Sequence, residues 1–462
     1  MQGVDSVLGI WVGKLIELVL RLVGRRATSL PGKWALCVSP GLLTKLGRQL
    51  ERCIVVTGTN GKTTTTSLLA SMMRQEGPIV TNAEGANMRQ GLAAALIKHT
   101  DWRGRLRAKT AVLEIDEATL PLVADCFPIR VAAVTNVFRD QLDRYGELDS
   151  TMQKIIEGLA ATEAVLILNG DDPLARRIGL GHPGRVLYFG LDERHLSTQP
   201  REQMRDGAFC LECGARLDYE GFFYGQLGVY RCPHGDFFRP HPDFRASIEG
   251  STLHLQEPGQ PDVAFRLPVR GLFNIYNALC AIAAARVCGL GRGPIQQGLD
   301  AFHPPLGRMQ VFRTDPESIL NLIKNPTGCD SVLQAICHES APKVVLIAIN
   351  DLAADGRDVS WLWDADFELL AEAGRVLGVV TTGLRGEDMA LRLKYAGYPV
   401  KQMQVKPDLD EAVEASLSLA HQLGGAPVYV LCTYTALYPM AERLQRKVNR
   451  YSHETAYRTS VS

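Results

Sequence analysis

The sequence predicts an α/β protein of two or three units, built on parallel sheets clothed by helices. Three observations lead there. The chain has 462 residues, more than one hydrophobic core of ordinary size accommodates. From Cys53 onward, short β-branched runs alternate with longer amphipathic ones, as expected of strands buried on both faces and joined by crossover helices. Between about Arg201 and Asp243 that alternation gives way to aromatics, glycines and paired cysteines, so an irregular insertion interrupts the first unit.

Residues 1–50 read as a helical lead-in. VLGIWVGKLIELVLRLVG looks like an anchor, yet Lys14, Glu17 and Arg21 would share one helical face, which a spanning helix would have to bury. An amphipathic helix packed on the body of the protein or on a partner fits better than one lying on a membrane surface. Residues 51–312 form the first large unit. Its strands are CIVVT, TAVLEID, VAAVTNV, AVLILN and VLYFG, and the helical run Gly271 to Gly291 resumes it after the insertion at about 201–243. Residues 313–450 form a second α/β unit around KVVLIAIND, VLGVVTTG and APVYVLCT. Residues 451–462 read as a polar, frayed tail.

Charge narrows the class. Fifty basic residues balance fifty acidic ones, which removes the broad positive field that draws a protein onto nucleic acid or an anionic membrane and leaves only local patches to do so. Most of the eleven cysteines stand alone in apolar runs, as reduced thiols of a cytoplasmic protein do.

The strand CIVVT runs into Thr57-Gly58-Thr59-Asn60-Gly61-Lys62-Thr63-Thr64, and a helix follows at once. Backbone N–H groups at such a helix start point at a bound anion, glycines allow close approach, and lysine adds charge. The Thr63 hydroxyl suits Mg²⁺. A carboxylate from a neighbouring strand end completes such a site. TAVLEIDE offers Glu114, Asp116 and Glu117, with Glu114 the first choice. Where the general phosphate-loop pattern has its first glycine, this chain has Val56.

Within the insertion, Cys210-Leu-Glu-Cys213-Gly precedes Cys232-Pro-His234-Gly by a zinc-ribbon spacing. Cys210, Cys213, Cys232 and His234 are the expected Zn²⁺ ligands. Four protein ligands would close the coordination shell, so the ion would be structural.

Taken together, TGTNGKTTT, TNVFRDQLDRYGE from Thr135, NGDDP from Asn169, FNIYNALCA from Phe273 and GRMQ from Gly307 resemble the central domain of the Mur ligase superfamily. The loop of that superfamily lacks the first glycine, which accounts for Val56. TSLPGK at Thr28, NAEGANMRQGL at Asn82, LEIDEA at Leu113, FRDQLDR in place of the usual DHLD pattern, LIKNPTG at Leu322 and NDLAADGRDVSWLWDADFE at Asn350 are similar to the MurT family within it. The likeness runs from about Arg25 to Arg443.

The resemblance implies a Mur ligase fold, with a Rossmann-like C-terminal domain, and an ATP-dependent carbon–nitrogen ligase. Its reaction would be amidation of the α-carboxyl of D-glutamate in the stem peptide of lipid II, giving D-isoglutamine through an acyl phosphate. Ammonia would come from a GatD-type glutamine amidotransferase in a heterodimer acting on membrane-bound lipid II at the inner leaflet. It also implies roles for particular residues. Gly58, Thr59, Asn60, Gly61, Lys62, Thr63 and Thr64 would hold ATP, with Asn277 and Arg308 at nucleotide-contacting positions. Thr63 and Glu114 would hold magnesium. Asp358 would complete the partner's cysteine–histidine pair, with Asp355 the competitor. His234 would replace a fourth cysteine found in related chains. Gln141 stands where amino-acid-adding relatives have histidine, so their magnesium shell is not carried over. A folylpolyglutamate- or MurE-like amino-acid ligase is the alternative, against which FRDQLDR and ADGRDVSW speak. A nucleotide-gated binding module is a third reading.

Overall fold

The computed structural model describes residues 4–23, 28–82, 86–138, 148–196, 207–235 and 237–461, the side chains of 338 and 450–461 excepted. The chain forms two compact units, one made of Met1–Phe138 with Glu147–His303, the other running from Pro304 to Ser462.

The first unit is organised by β1 (Arg52–Thr57), β2 (Ile79–Thr81), β3 (Thr110–Glu114), β4 (Ile129–Val134), β5 (Val165–Asn169) and β6 (Val186–Leu191). All pair in parallel, in the order β6-β5-β4-β1-β3-β2. Successive side chains of β1 enter different cores. Ile54 and Val56 pack with the helices Lys62–Met73 and Leu272–Val287, while Cys53 and Val55 pack with Arg89–Lys98 and Leu148–Ala160. A strand buried on both sides has no polar face to alternate, which is why CIVVT reads as a continuous apolar run.

One edge of this sheet departs from the parallel expectation. After β7 (Asp218–Tyr224) and β8 (Leu227–Arg231), which form a separate hairpin, β9 (Phe244–Glu249) pairs parallel to β6. Then β10 (Thr252–Gln256) and β11 (Val263–Arg266) add antiparallel strands, so the nine-stranded sheet is mixed. Connections too short for a crossover helix allow only antiparallel neighbours here.

The helix Val4–Leu22 lies on the body of this unit through glycines. A Cβ on Gly9 would meet Ala35 O at 3.1 Å, and one on Gly13 would meet Ile97 Cδ1 at 2.9 Å. Lys14 Nζ donates to Thr100 O at 2.8 Å, and Glu17 and Arg21 pair at 2.5 Å. Among the described residues no helix is long and apolar enough to cross a membrane.

The second unit has a six-stranded sheet of β12 (Gln310–Phe312), β13 (Ser318–Leu322), β14 (Lys343–Ala348), β15 (Val376–Thr382), β16 (Met403–Val405) and β17 (Val428–Cys432). Its order is β12-β13-β17-β14-β15-β16, parallel except for β12 against β13. The last helix, Tyr434–Val461, continues through the polar stretch expected to fray. No glycine or proline after Met440 provides a stop.

Candidate active site

The phosphate loop is held from two sides. Gly58 and Gly61 have φ of 115° and 85°, which side-chain-bearing residues rarely adopt. Space forbids substitution as well, since a Cβ on Gly61 would stand 1.9 Å from Asn277 Oδ1 and one on Gly58 would stand 2.5 Å from Thr135 Oγ1. Asn277 thus lies against the loop. The segment after β4 secures the other side. Thr59 N–H donates to Asn136 O at 2.9 Å, Asn60 N–H to Asn136 Oδ1 at 2.9 Å, and Thr59 Oγ1 to Phe138 O at 3.1 Å. A cradle fixed before its ligand arrives spends little ordering entropy on binding.

Lys62 begins the helix that follows and is buried. Its Nζ donates to Gly58 O at 2.5 Å and to Glu117 Oε1 at 2.8 Å. Burial opposes the charge, but Glu117, with Glu114 and Asp116 adding their field, outweighs it and keeps the ammonium protonated. Glu117, one of the three candidate metal ligands, is therefore the counter-ion of Lys62.

Glu114 ends β3 opposite Val56 of β1. Asn82 grips its backbone on both sides, donating from Nδ2 to Glu114 O and accepting Glu114 N–H on Oδ1, each at 2.8 Å. Asn87 Nδ2 donates to Oε1 at 2.8 Å, while Oε2 is buried with no hydrogen-bond partner. An aimed carboxylate with one unsatisfied buried oxygen fits a hard divalent cation, and Thr63, next to Lys62 at the helix start, carries a hydroxyl chemically suited to such an ion.

Behind the cradle, NGDDP forms a buried polar knot. Asp172 caps the helix Pro173–Gly179, accepting from Leu174 N–H at 3.1 Å and from Val137 N–H at 2.8 Å. Gln226, from the β7–β8 turn, donates to Asp172 Oδ1 at 2.8 Å and to Val137 O at 2.6 Å. Burial lifts the Asp172 carboxyl to about 6 despite these donors. Asp171 receives Arg239 Nε at 2.7 Å and Tyr276 Oη at 2.6 Å. The insertion is thus tied to the segment that carries Asn136 and Phe138.

In the insertion, the Sγ atoms of Cys210, Cys213 and Cys232 lie within 4.8 Å of one another. His234 does not join them through its ring; it is exposed, and its backbone N–H donates to Cys232 Sγ at 3.4 Å. The register explains this. Cys210 N–H donates to Ala215 O and Cys232 N–H to Phe237 O, both at 2.7 Å, so the two knuckles share one i to i+5 geometry. Cys213 then corresponds to Gly235, and His234 falls one position short. Three soft thiolate donors suit Zn²⁺ and leave a fourth position to another donor. Cys210→Ser is expected to remove bound zinc and lower the unfolding temperature, whereas Gly235→Cys, whose Cβ meets nothing within 4 Å, should tighten zinc by about tenfold or more. Metal analysis and a chelator competition check both, and unchanged metal content in the serine variant contradicts the assignment.

In the second unit, the loop after β14 is pinned by Asp355. Thr435 N–H and Oγ1 donate to its two oxygens at 2.7 and 2.5 Å, and Leu352 N–H donates at 3.1 Å. Asp358 is exposed and accepts Ser360 N–H at 2.8 Å, which holds its carboxyl below the usual range. Arg308 is half-buried in the turn before β12. Cys329 is buried, which pushes its thiol well up, away from a nucleophile's requirement.

Residues 56–213 match the Mur ligase middle domain and residues 322–437 the MurT ligase C-terminal domain. The chain is 35% identical over 441 residues to the lipid II isoglutaminyl synthase (glutamine-hydrolyzing) subunit MurT of Staphylococcus aureus (strain COL), covering 95% of this chain and 97% of that one. This protein belongs to the MurT family. The corresponding subunit of Streptococcus pneumoniae (strain ATCC BAA-255 / R6) is 34% identical over 450 residues, covering 96% and 98%. In fold, the chain is similar to a pseudomurein peptide ligase type C from Methanothermus fervidus, with a TM-score of 0.65, 22% identity and coverage of 88% and 80%.

As a MurT-family chain it has the expected α/β Mur ligase fold. Gln141 and the rest of FRDQLDR after Phe138 lie outside the described residues. Sequence reasoning missed the pairing of Lys62 with Glu117, and it gave no role to Asp171, Asp172, Tyr276, Gln226 or Arg239. The adjacent acids of NGDDP were the available signal, because two carboxylates between buried runs must find donors. Their side-chain donors lie 54 to 105 residues away, beyond the reach of local pattern.

Proposed function

We propose that this chain is the synthetase subunit of a glutamine-hydrolysing lipid II isoglutaminyl synthase, a cytoplasmic ATP-dependent ligase of peptidoglycan synthesis. Its substrate is the α-carboxyl of D-glutamate in the lipid II stem peptide. A carboxylate oxygen takes the γ-phosphoryl group of ATP, and ADP departs. Ammonia then attacks the carbonyl carbon, the new C–N bond replaces the bond to phosphate, inorganic phosphate leaves, and the nitrogen loses a proton. The observation that carries this reading is that end-to-end kinship with MurT subunits coincides with an intact, pre-shaped phosphate cradle.

Two anions must meet for the first step, and cancelling their repulsion is the task of the cradle. Those backbone N–H groups of the Gly58 to Thr64 loop that are not bonded to Asn136 receive the phosphates, Lys62 neutralises charge, and Asn277 braces the loop at Gly61; Arg308 is a further nucleotide-contacting residue that the family resemblance implies. Mg²⁺ held by Glu114 and Thr63 would supply further charge neutralisation. The ammonia donor is a GatD-type glutaminase bound as a heterodimer. Asp358 is the carboxylate we assign to orienting that partner's histidine, because it is exposed while Asp355 is engaged with Thr435.

The test supplies ATP, lipid II and ammonium to the purified chain and its glutaminase subunit. The expected product is lipid II with one carboxyl hydroxyl exchanged for an amino group, formed in step with ADP. ATP turnover that needs a free amino acid in place of ammonium, or no turnover at all, overturns the proposal.

A further inference from the structure

The helix Val4–Leu22 has two apolar faces, and only one is used by the fold. Its glycine face seats it on the body. On the opposite side Leu8, Trp11, Leu15, Leu18, Val19 and Leu22 recur at helical spacing, with Trp11 49%, Leu15 59%, Leu18 53% and Leu22 78% exposed. The next helix, Leu30–Val38, repeats the arrangement at Leu30, Trp34 and Val38, all exposed. Trp102 is exposed too, and Trp11 Nε1 donates to its carbonyl oxygen at 2.8 Å, which places the two residues together. Two of the five tryptophans of the chain therefore stand together on the surface, and a third, Trp34, is exposed on the adjoining helix.

The charge around this region is one-sided. Residues 98–109 carry Lys98, Arg103, Arg105, Arg107 and Lys109 against Asp101 alone, with Lys109 paired to an acid outside the segment, Glu51 at 3.4 Å. Arg103, Arg105 and Arg107 are exposed, as is Lys33 beside Trp34. Asp101 is occupied, accepting the backbone N–H groups of Arg103 and Arg105 at 2.8 and 2.9 Å. An apolar stripe with tryptophans and a cationic border has the chemistry of a surface that lies in the headgroup region of an anionic bilayer. An acidic protein groove would match the charge, but it would not explain three exposed indoles beside a helix too polar to span.

We propose that the outer faces of the helices Val4–Leu22 and Leu30–Val38 dock the enzyme on the surface of an anionic phospholipid membrane. Preferring a bilayer over a protein rests in part on the lipid-linked substrate proposed above. Docking confines the search for that substrate to two dimensions and raises its effective concentration without a new contact at the active site.

The test uses the full chain and vesicles of phosphatidylcholine with or without phosphatidylglycerol, none containing lipid II, so it does not depend on the proposed reaction. Flotation with the anionic vesicles is expected, together with a blue shift of tryptophan emission. Added salt and Arg103→Glu with Arg105→Glu should each weaken it. The triple variant Trp11→Glu, Leu15→Glu, Leu18→Glu should bind at least about tenfold less while keeping its unfolding temperature and its ADP formation on a water-soluble stem-peptide substrate. Failure of the wild type to float, or equal flotation of the triple variant, overturns the proposal. If the triple substitution instead releases the glutaminase subunit, or converts a dimer to a monomer, the face belongs to a protein partner and the proposal fails. Loss of amidation on the soluble substrate by the wild type would strike the proposed reaction and leave the vesicle result standing.

Discussion

Replacing Lys62 with alanine is expected to lower amide formation by at least about 10³-fold, with ammonium supplied directly as well as with glutamine. The expectation follows from where the ammonium sits. It is buried at the mouth of the loop, its charge secured by Glu117 at 2.8 Å and by the fields of Glu114 and Asp116. An arriving triphosphate offers a stronger anion than the loop carbonyls Gly58 O and Thr59 O, to which Nζ donates now. The alanine variant also leaves Glu117 buried without its cation, so nucleotide affinity should fall together with turnover. ADP release and nucleotide binding by calorimetry check both. Retention of ammonium-driven activity would remove Lys62 from the activation step.

Asp358→Ala is expected to cut glutamine-driven amidation by about 10²-fold or more while ammonium-driven amidation stays within about twofold. The carboxylate is exposed and kept ionised by the Ser360 N–H, as a group that orients an imidazole must be. Its loop is anchored elsewhere, by Asp355 on Thr435, so the substitution removes a charge without loosening the support. Glutamate release by the assembled heterodimer is the direct readout. Equal losses with both nitrogen sources would assign Asp358 to ATP or substrate instead. Asp355→Ala should behave differently, lowering thermal stability because two donors from Thr435 lose their acceptor.

Much of this was legible in the amino-acid pattern because the signals were local. The run from Cys53 to Thr64 announces strand, loop and helix in a single stretch, and β3, β4, β5, β6, β14, β15 and β17 each appear as a short apolar run. The strands β9, β10 and β11 did not, because they alternate polar and apolar residues on a sheet edge and follow directly on an irregular insertion. At the site, Lys62 and Glu114 were readable from spacing. Glu117 was visible as an acid but not as a counter-ion, since distance in the fold and not order in the chain decides which of three neighbouring carboxylates meets the lysine. His234 shows the same limit on a smaller scale. Its chemistry suits zinc, but the hydrogen bonds of the two knuckles align Gly235, and not His234, with Cys213.

The tie between Gln226 and Asp172 has a practical bearing on how this protein can be cut. An expression clone trimmed of the whole cysteine-bearing insertion, hairpin included, as a dispensable appendage would strip away Gln226 and Arg239 together. Two carboxylates in the interior of the nucleotide-binding unit would then face each other's neighbourhood without their amide and guanidinium donors, in the strut that steadies Asn136 against the phosphate loop. The hairpin belongs to the frame of the ATP-binding half as surely as its central strands do.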